Sequence, residues 1–319
     1  MMPGSEMSHI HDAIIFGAGP AGVSCALELH ENKIDYLLLD KEPDLAAQLA
    51  RIPQSITIRN YLGGFWQSGA ALRDDIEAAY RRLNARAIEH DEIFQADLKE
   101  KVLVGRKQTY RARTIFIGSG VRMRTINIAG AESIPHRVLH VPEGHENDLS
   151  GKKLVIVGGG DNAVMDANAL KELCQSIAVV HRGPLKARPD VIREARKDAR
   201  IQFIANSEIV RVESEADALE SVIVKDLKTT IEQSLAADFV LVRVGWAPNS
   251  ELFANQLALS TSGYIKVDIS GRTSMPGVFA GGDVAEPECL SIAKSVGQGA
   301  VAARAMARLL WAAEDGTAE

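Results

Sequence analysis

Residues Lys153 to Ala163 read K-L-V-I-V-G-G-G-D-N-A. Leu154 to Val157 have the unbroken apolar character of a buried parallel strand. Gly158 and Gly160 supply the tight turn and the close backbone approach that a pyrophosphate needs, and Ala163 takes the third position, where helix and strand pack closely. The helix that follows, expected to run to about Leu173, aims its N-terminus at the phosphates. The same grammar occurs earlier, in Asp12 to Gly22, D-A-I-I-F-G-A-G-P-A-G, with Gly17, Gly19 and Gly22 in G-x-G-x-x-G spacing. Two such turns in one chain imply two nucleotides and a relay between them.

After the first turn, a strand from Tyr36 to Leu39 ends at Asp40, at the roughly 20-residue interval where an acid accepts hydrogen bonds from a ribose. Gln48 and Asn60 are amides within reach of a ligand in the irregular stretch Lys41 to Gly64. Residues 70–87 have helical periodicity, and three strands are expected at His90 to Ala96, Lys101 to Val104 and Tyr110 to Ile117. The last ends in Gly118-Ser119-Gly120, small residues that let a cofactor approach. After the second turn, the strand Ile177 to Val180 ends in His181-Arg182, with Lys186 and Arg188 close behind. Bases at this position accommodate a ribose 2′-phosphate, favouring NADPH over NADH as the donor. The other reading of these bases, taken with Arg193, Arg196, Lys197 and Arg200, is one face of a solvated helix interleaved with Asp190, Glu194 and Asp198. Strands at Val222 to Lys225 and Phe239 to Val244 close the inserted domain, and Gly245-Trp246-Ala247-Pro248-Asn249 leads back. A strand Val278 to Ala280 then meets Gly281-Gly282-Asp283, whose acid suits ribityl or phosphate-adjacent hydroxyls, before a helix over residues 291–310 and a loose tail from Ala312.

The expected fold is therefore α/β, with two Rossmann-like dinucleotide-binding domains, the second inserted into the first. The boundaries fall at residues 1–125, 126–246 and 247–319. The chain has 319 residues, 46% hydrophobic and 24% charged, and a formal charge of −6, which points to neither nucleic acid nor membrane as a partner. Met1 to Ile10 carries no apolar stretch of a secretory signal, and a cytoplasmic protein is expected. Cys25, Cys174 and Cys289 lie far apart and make neither a redox pair nor a metal-ligand spacing; no metal site is expected.

In order, G-A-G-P-A-G, G-G-G-D-N-A, H-R, W-A-P-N and T-S-M-P-G-V-F-A-G-G-D resemble the motifs of the low-molecular-weight thioredoxin reductase family of flavoproteins, over nearly the whole chain. The resemblance implies FAD in the outer domain, NADPH in the inserted one, and a homodimer. Carried onto matching positions, it implies FAD contacts at Gly17, Gly19, Pro20, Ala21, Gly22, Asp40, Gln48, Asn60, Ile93, Ser119, Gly120, Gly282 and Asp283. It implies nicotinamide-dinucleotide contacts at Gly158, Gly160, Asp161, Asn162, Arg182 and Arg188.

The departures carry as much information. The family's C-x-x-C and following acid fall, counting back without gaps from Gly151, on Val141, Gly144 and His145. Without a thiolate and a resolving partner, disulfide exchange through an internal pair is chemically impossible. The family's G-G-Q reads Ala46-Ala47-Gln48, and the second arginine of its H-R-R triplet is Gly183. The missing dithiol is a property shared with thioredoxin-reductase-like ferredoxin-NADP reductases. The implied activity is hydride transfer from nicotinamide to flavin, then to an acceptor without any protein disulfide. The first-choice acceptor is ferredoxin or flavodoxin, docked on Arg122, Arg124, Arg188, Arg193 and Arg196. A small molecule or thiol substrate is the alternative acceptor, and a silent nucleotide sensor or scaffold is the alternative from another class. Asn60 is expected at the isoalloxazine edge. His140 and His145 are candidate proton donors because imidazole titrates near neutrality; the other reading is exposed histidines of a polar loop.

Overall fold

The computed structural model describes residues 9–52, 57–285 and 289–316. The chain divides into two units, residues 1–122 with 247–319, and residues 123–246. Each is a Rossmann-type α/β domain.

In the first unit, β1 (Ile10–Phe16) leads through the glycine turn into α1 (Pro20–Glu31) and β2 (Tyr36–Asp40), then α2 (Gly69–Arg82) and β3 (Ile88–His90). A hairpin strand pair, β4 (Ile93–Asp97) and β5 (Val102–Gly105), precedes β6 (Thr109–Ile117), and the chain leaves on β7 (Val121–Met123). It re-enters on a later segment of the chain. Strands β3, β2, β1 and β6 are parallel neighbours, while β4 and β5 continue the sheet antiparallel from the start of β6.

In the second unit the order is β8 (Val138–Leu139), α3 (Glu146–Leu149), β9 (Lys153–Val157), α4 (Asp161–Leu170), β10 (Ser176–His181), α5 (Pro189–Ala195) and β11 (Ile201–Ala205). Next come β12 (Ser207–Glu215), β13 (Ala218–Asp226), β14 (Glu232–Ala236) and β15 (Phe239–Val242). The parallel sheet runs β11-β10-β9-β15-β8, and β12, β13 and β14 make a separate antiparallel sheet. The chain returns on β16 (Trp246–Pro248), adds β17 (Val278–Ala280) beside β6 and ends in α6 (Ile292–Glu314).

Apolar runs become the central strands because both faces are covered. Ala13, Ile14 and Ile15 in β1 are fully buried, and Leu154 to Ile156 in β9 nearly so. Helix α6 lies close on α1 through small residues: a Cβ at Gly299 would sit 2.1 Å from the Ala21 carbonyl oxygen. Its last turn extends past the expected end and takes up the start of the expected loose tail. Arg113 explains this, pairing with Glu314 at 3.2 Å and donating to the Leu310 carbonyl at 3.5 Å.

Two sequence expectations are corrected. The helix of residues 70–87 stops at Arg82, because Asn84 turns left-handed (φ 51°) and Tyr80 donates back to the Arg86 carbonyl at 2.8 Å. The strand expected from His90 to Ala96 is two strands, broken at Asp91. Asp91 is 3% exposed. Its carboxylate accepts from Tyr110 Oη at 2.9 Å and from the Arg106 and Lys107 amides at 3.0 and 3.1 Å. Gly105 leaves the room for it, since a Cβ there would lie 2.0 Å from Asp91 Oδ2. An acid that must satisfy three donors across the β5–β6 turn cannot also continue a ladder.

Burial pushes the Asp91 carboxyl up, but the Tyr110 hydroxyl and the backbone amides outweigh it and hold the group below the ordinary aspartate value. Its stabilisation is complete above the unfolded value of about 3.9 and is lost as pH falls through the lower folded value. Asp91→Asn is therefore expected to lower the melting temperature of the protein at pH 7, by an amount equivalent to ~2–4 kcal/mol. The gap from the parent should shrink in melts run below pH ~4.

Candidate functional site

In the first unit the glycine turn is built by exclusion of side chains. A Cβ at Gly22 would sit 1.8 Å from the Gly17 carbonyl oxygen, and one at Gly17, whose φ is +105°, 2.4 Å from the Gly118 carbonyl oxygen. Gly19 differs: a Cβ there would meet nothing within 4 Å, and as the N-cap of α1 it provides no side-chain cap. The free amides of the first helical turn and an open approach above them are the requirements for binding a phosphate. Asp40 Oδ2 accepts from the Ala18 amide at 2.6 Å, which fixes the acid beside the turn. The Asp91 amide donates to the Asp40 carbonyl at 2.9 Å, bringing the start of β4 and Ile93 to the same end of the sheet.

The opposite wall comes from three loops. Gln48 donates to the Val121 carbonyl at 3.3 Å, and its Oε1 would be 3.5 Å from a Cβ on Gly120. Gly282, left-handed at φ +78°, places Asp283 at the end of β17 beside Ala21, and its amide donates to Gln298 Oε1 at 2.8 Å. Burial raises the Asp283 carboxyl above its ordinary value, against the opposing pull of Lys294 at 3.4 Å and the Ser295 hydroxyl at 3.3 Å. Asn60 stands apart on an exposed bend, and no described hydrogen bond ties it to these loops.

Asn249, which the sequence showed only as part of the return segment, locks this wall. Its side-chain amide donates to the Ser119 carbonyl at 2.8 Å, its backbone amide to the Gly120 carbonyl at 2.9 Å, and its own carbonyl accepts from Ser119 Oγ at 2.7 Å. Arg122 in turn holds Asn249 Oδ1 at 3.0 Å.

The second unit repeats the plan. Gly158 has φ +144°, and a Cβ on it would lie 2.1 Å from the Arg243 carbonyl oxygen; Gly160 faces open space and leaves α4 without a side-chain cap. Asp161 Oδ1 accepts from the Arg188 amide at 2.7 Å, with the Arg188 Nε 3.8 Å away, and the Lys186 amide donates to the Gly159 carbonyl at 2.7 Å. The basic loop is thus folded onto the glycine turn. Arg182, Lys186 and Asn162 are exposed. Of the more distant bases, Lys197 pairs with Glu194, and Arg200 with Glu172 and Asp198. They are surface ion pairs, and α5 ends at Ala195, so the long basic helix face does not form.

Arg243 and Asp166 were not singled out from the sequence. They form an ion pair at 2.5 Å with side chains only 10% and 15% exposed. Burial raises the Asp166 carboxyl, and Arg243 opposes it. Arg243 also donates to the His140 carbonyl at 2.9 Å, tying the loop of the candidate histidines to the glycine turn. An open pocket of about 430 Å³ on that loop brings His140 and His145 together with His136, Arg137, Asp148 and Phe239. Arg137 lies over the Phe239 ring at 4.9 Å, and His145 Nδ1 is 3.3 Å from Asp148. His140 is exposed.

Against known proteins, the chain matches the pyridine nucleotide-disulphide oxidoreductase family over residues 11–307. It belongs to that family. It is 32% identical to the 34.2 kDa protein in the rubredoxin operon of Clostridium pasteurianum, covering 92% of this chain and 94% of that one. It is 29% identical to the thioredoxin reductase of Listeria monocytogenes, over 92% of each. The crystal structure of Lactococcus lactis thioredoxin reductase superposes with a TM-score of 0.81 at 26% identity, covering 94% of this chain and 99% of that one. This oxidoreductase is thioredoxin reductase-like, FAD-dependent, and takes NADPH as its second cofactor. The two uncapped helix N-termini and their Cβ-free turns fit those dinucleotides. No helix among the described residues is long and apolar enough to cross a membrane.

Two substitutions test the two units separately. Gly158→Ala, strained and overlapping the Arg243 carbonyl, is expected to slow flavin reduction by NADPH at least ten-fold, while chemical reduction of the bound flavin is unaffected; stopped-flow absorbance checks it. Asn249→Ala removes the bond donated to the Ser119 carbonyl and the one accepted from Arg122 and is expected to cost ~1–3 kcal/mol, read as faster FAD release and a lower melting temperature with the flavin bound.

Proposed function

We propose that this oxidoreductase passes electrons from NADPH through FAD to an external acceptor without using a disulfide of its own. The observation that carries the reading is the state of its thiols. Cys25 and Cys174 are buried and Cys289 is exposed, and all three are free. Burial pushes the Cys174 thiol up to about 11 and Cys25 higher still, so neither is a thiolate at neutral pH. The resemblance puts Val141 and Gly144 where the family carries its redox pair.

Bound FAD and NADPH supply hydride transfer from the nicotinamide to the flavin. The chain's own residues hold and orient. The amides after Gly19 and Gly160 take the phosphates, Asp40 takes a ribose, and Arg182 and Lys186 offer positive charge to a 2′-phosphate. Arg243 keeps the His140 loop in register with the second glycine turn. His145 and His140 are the proton donors this reading assigns at the site.

The acceptor proposed first is a small electron-carrier protein of the ferredoxin or flavodoxin type; a relative from a rubredoxin operon supports this direction. The arginines expected to dock it are partly committed: Arg122 to Glu251 at 2.5 Å and Arg188 to Asp161. A second reading, a small molecule or thiol substrate taken directly, is favoured by the pocket that gathers His136, His140 and His145.

The test is an acceptor screen on enzyme reduced anaerobically with NADPH, before and after alkylation with iodoacetamide. The expected result is reoxidation by ferredoxin, flavodoxin or rubredoxin at rates that alkylation leaves unchanged. Reoxidation by thioredoxin alone, abolished by alkylation, overturns the proposal. Reoxidation only by small molecules moves the assignment to the second reading, and a flavin that NADPH never reduces leaves the sensor reading.

A further inference from the structure

His9, just before β1, and His11, its second residue, stand two residues apart, and both side chains reach the same carboxylate. Asp35, just before β2, meets them there. Its Oδ2 lies 2.9 Å from His9 Nε2 and 2.9 Å from His11 Nδ1. The three donor atoms all lie within 4.8 Å of one another. Donors around a tetrahedral ion at ~2.0–2.1 Å sit about 3.3 Å apart, so the two contacts to Asp35, each 2.9 Å, need open by only a few tenths of an ångström to admit a cation.

The other oxygen of Asp35 is already held. It pairs with Arg86, which in turn donates to the Tyr36 carbonyl at 3.0 Å and lies over the Tyr36 ring at 5.9 Å. A carboxylate steadied on one oxygen by an arginine presents the second in a fixed direction, the arrangement that orients ligands at built metal sites. Exposure is graded as an open site requires: the His11 side chain is 15% exposed, Asp35 26% and His9 67%. Protein closes one side, and water completes the coordination on the other.

The geometry points to a divalent transition-metal site formed by His9, His11 and Asp35, with two imidazoles and one carboxylate suited to Zn²⁺ or Co²⁺. It lies at the opposite end of β1 from Gly17, six residues or about 20 Å of strand away. A metal there does not touch the nucleotide loops. It ties the segment leading into β1 to the turn between α1 and β2 and acts on the stability of the domain, not on hydride transfer. The cysteine spacings gave no sign of it, because the ligands are two histidines at the entry to β1 and an aspartate 24 residues beyond His11.

Calorimetric titration of the FAD-loaded, full-length protein without a histidine tag, using ZnCl₂, tests the site. One equivalent is expected to bind, with affinity lowered at least ten-fold in His11→Ala and in Asp35→Asn. The exposed His9→Ala, whose fold is least at risk, should show the same direction, and His145→Ala should bind like the parent. Cobalt substitution should give the visible bands of a four-coordinate ion. No stoichiometric binding, or binding that survives His9→Ala and His11→Ala, or binding lost in His145→Ala, overturns the assignment.

Discussion

The whole molecule depends on backbone approaching backbone where no side chain fits. At the end of β1, Gly22 comes so near the Gly17 carbonyl that a methyl group would overlap it at 1.8 Å, and at the end of β9, Gly158 does the same against Arg243 at 2.1 Å. Each approach pulls a helix N-terminus over the carboxyl end of a parallel sheet. The helix that results has free amides facing outward and a neighbouring glycine, Gly19 or Gly160, that faces open space. Position of the strands, direction of the helix dipoles and access for phosphate are therefore one constraint expressed twice.

What could be read from the sequence follows from how local each determinant is. The glycine turns, the acid at Asp40 and the strand before Asp283 are written within a few consecutive residues, and the fold class came from them. Of the antiparallel sheet of β12, β13 and β14 only Val222 to Lys225 of β13 was expected; in β12 a register shift between Ile209 and Arg211 breaks the alternation that marks a strand. Asp91 looked like an interior strand residue until its three donors across the β5–β6 turn were in view. Asn249, Gln298, Arg243 and Asp166 act on partners far away in the chain, and no spacing rule points to such pairs. The histidines of the 140s are a middle case: their loop was located from the sequence, while the pocket that joins them to His136 depends on the pairing of β8 with β15.

The second unit keeps the family framework around a segment whose residues differ from the family's. The dinucleotide turn is intact, braced by a buried ion pair on one side and by the Asp161–Arg188 contact on the other. The segment just before it carries Val141 and Gly144 where the resemblance puts the family's two thiols, and His145 where it puts the acid. On the proposed reading, electrons that arrive at the flavin have no internal pair to move to, and the number the protein can store is set by the flavin alone.

That storage capacity is the most direct measure of the account. In an anaerobic titration of the FAD-loaded protein, a flavin acting alone accepts two electrons, and a flavin with a redox-active disulfide accepts four. The account predicts complete reduction with a single equivalent of NADPH per flavin and no further uptake of reducing equivalents; uptake of a second equivalent per flavin, with a pair of new thiols appearing, would contradict it.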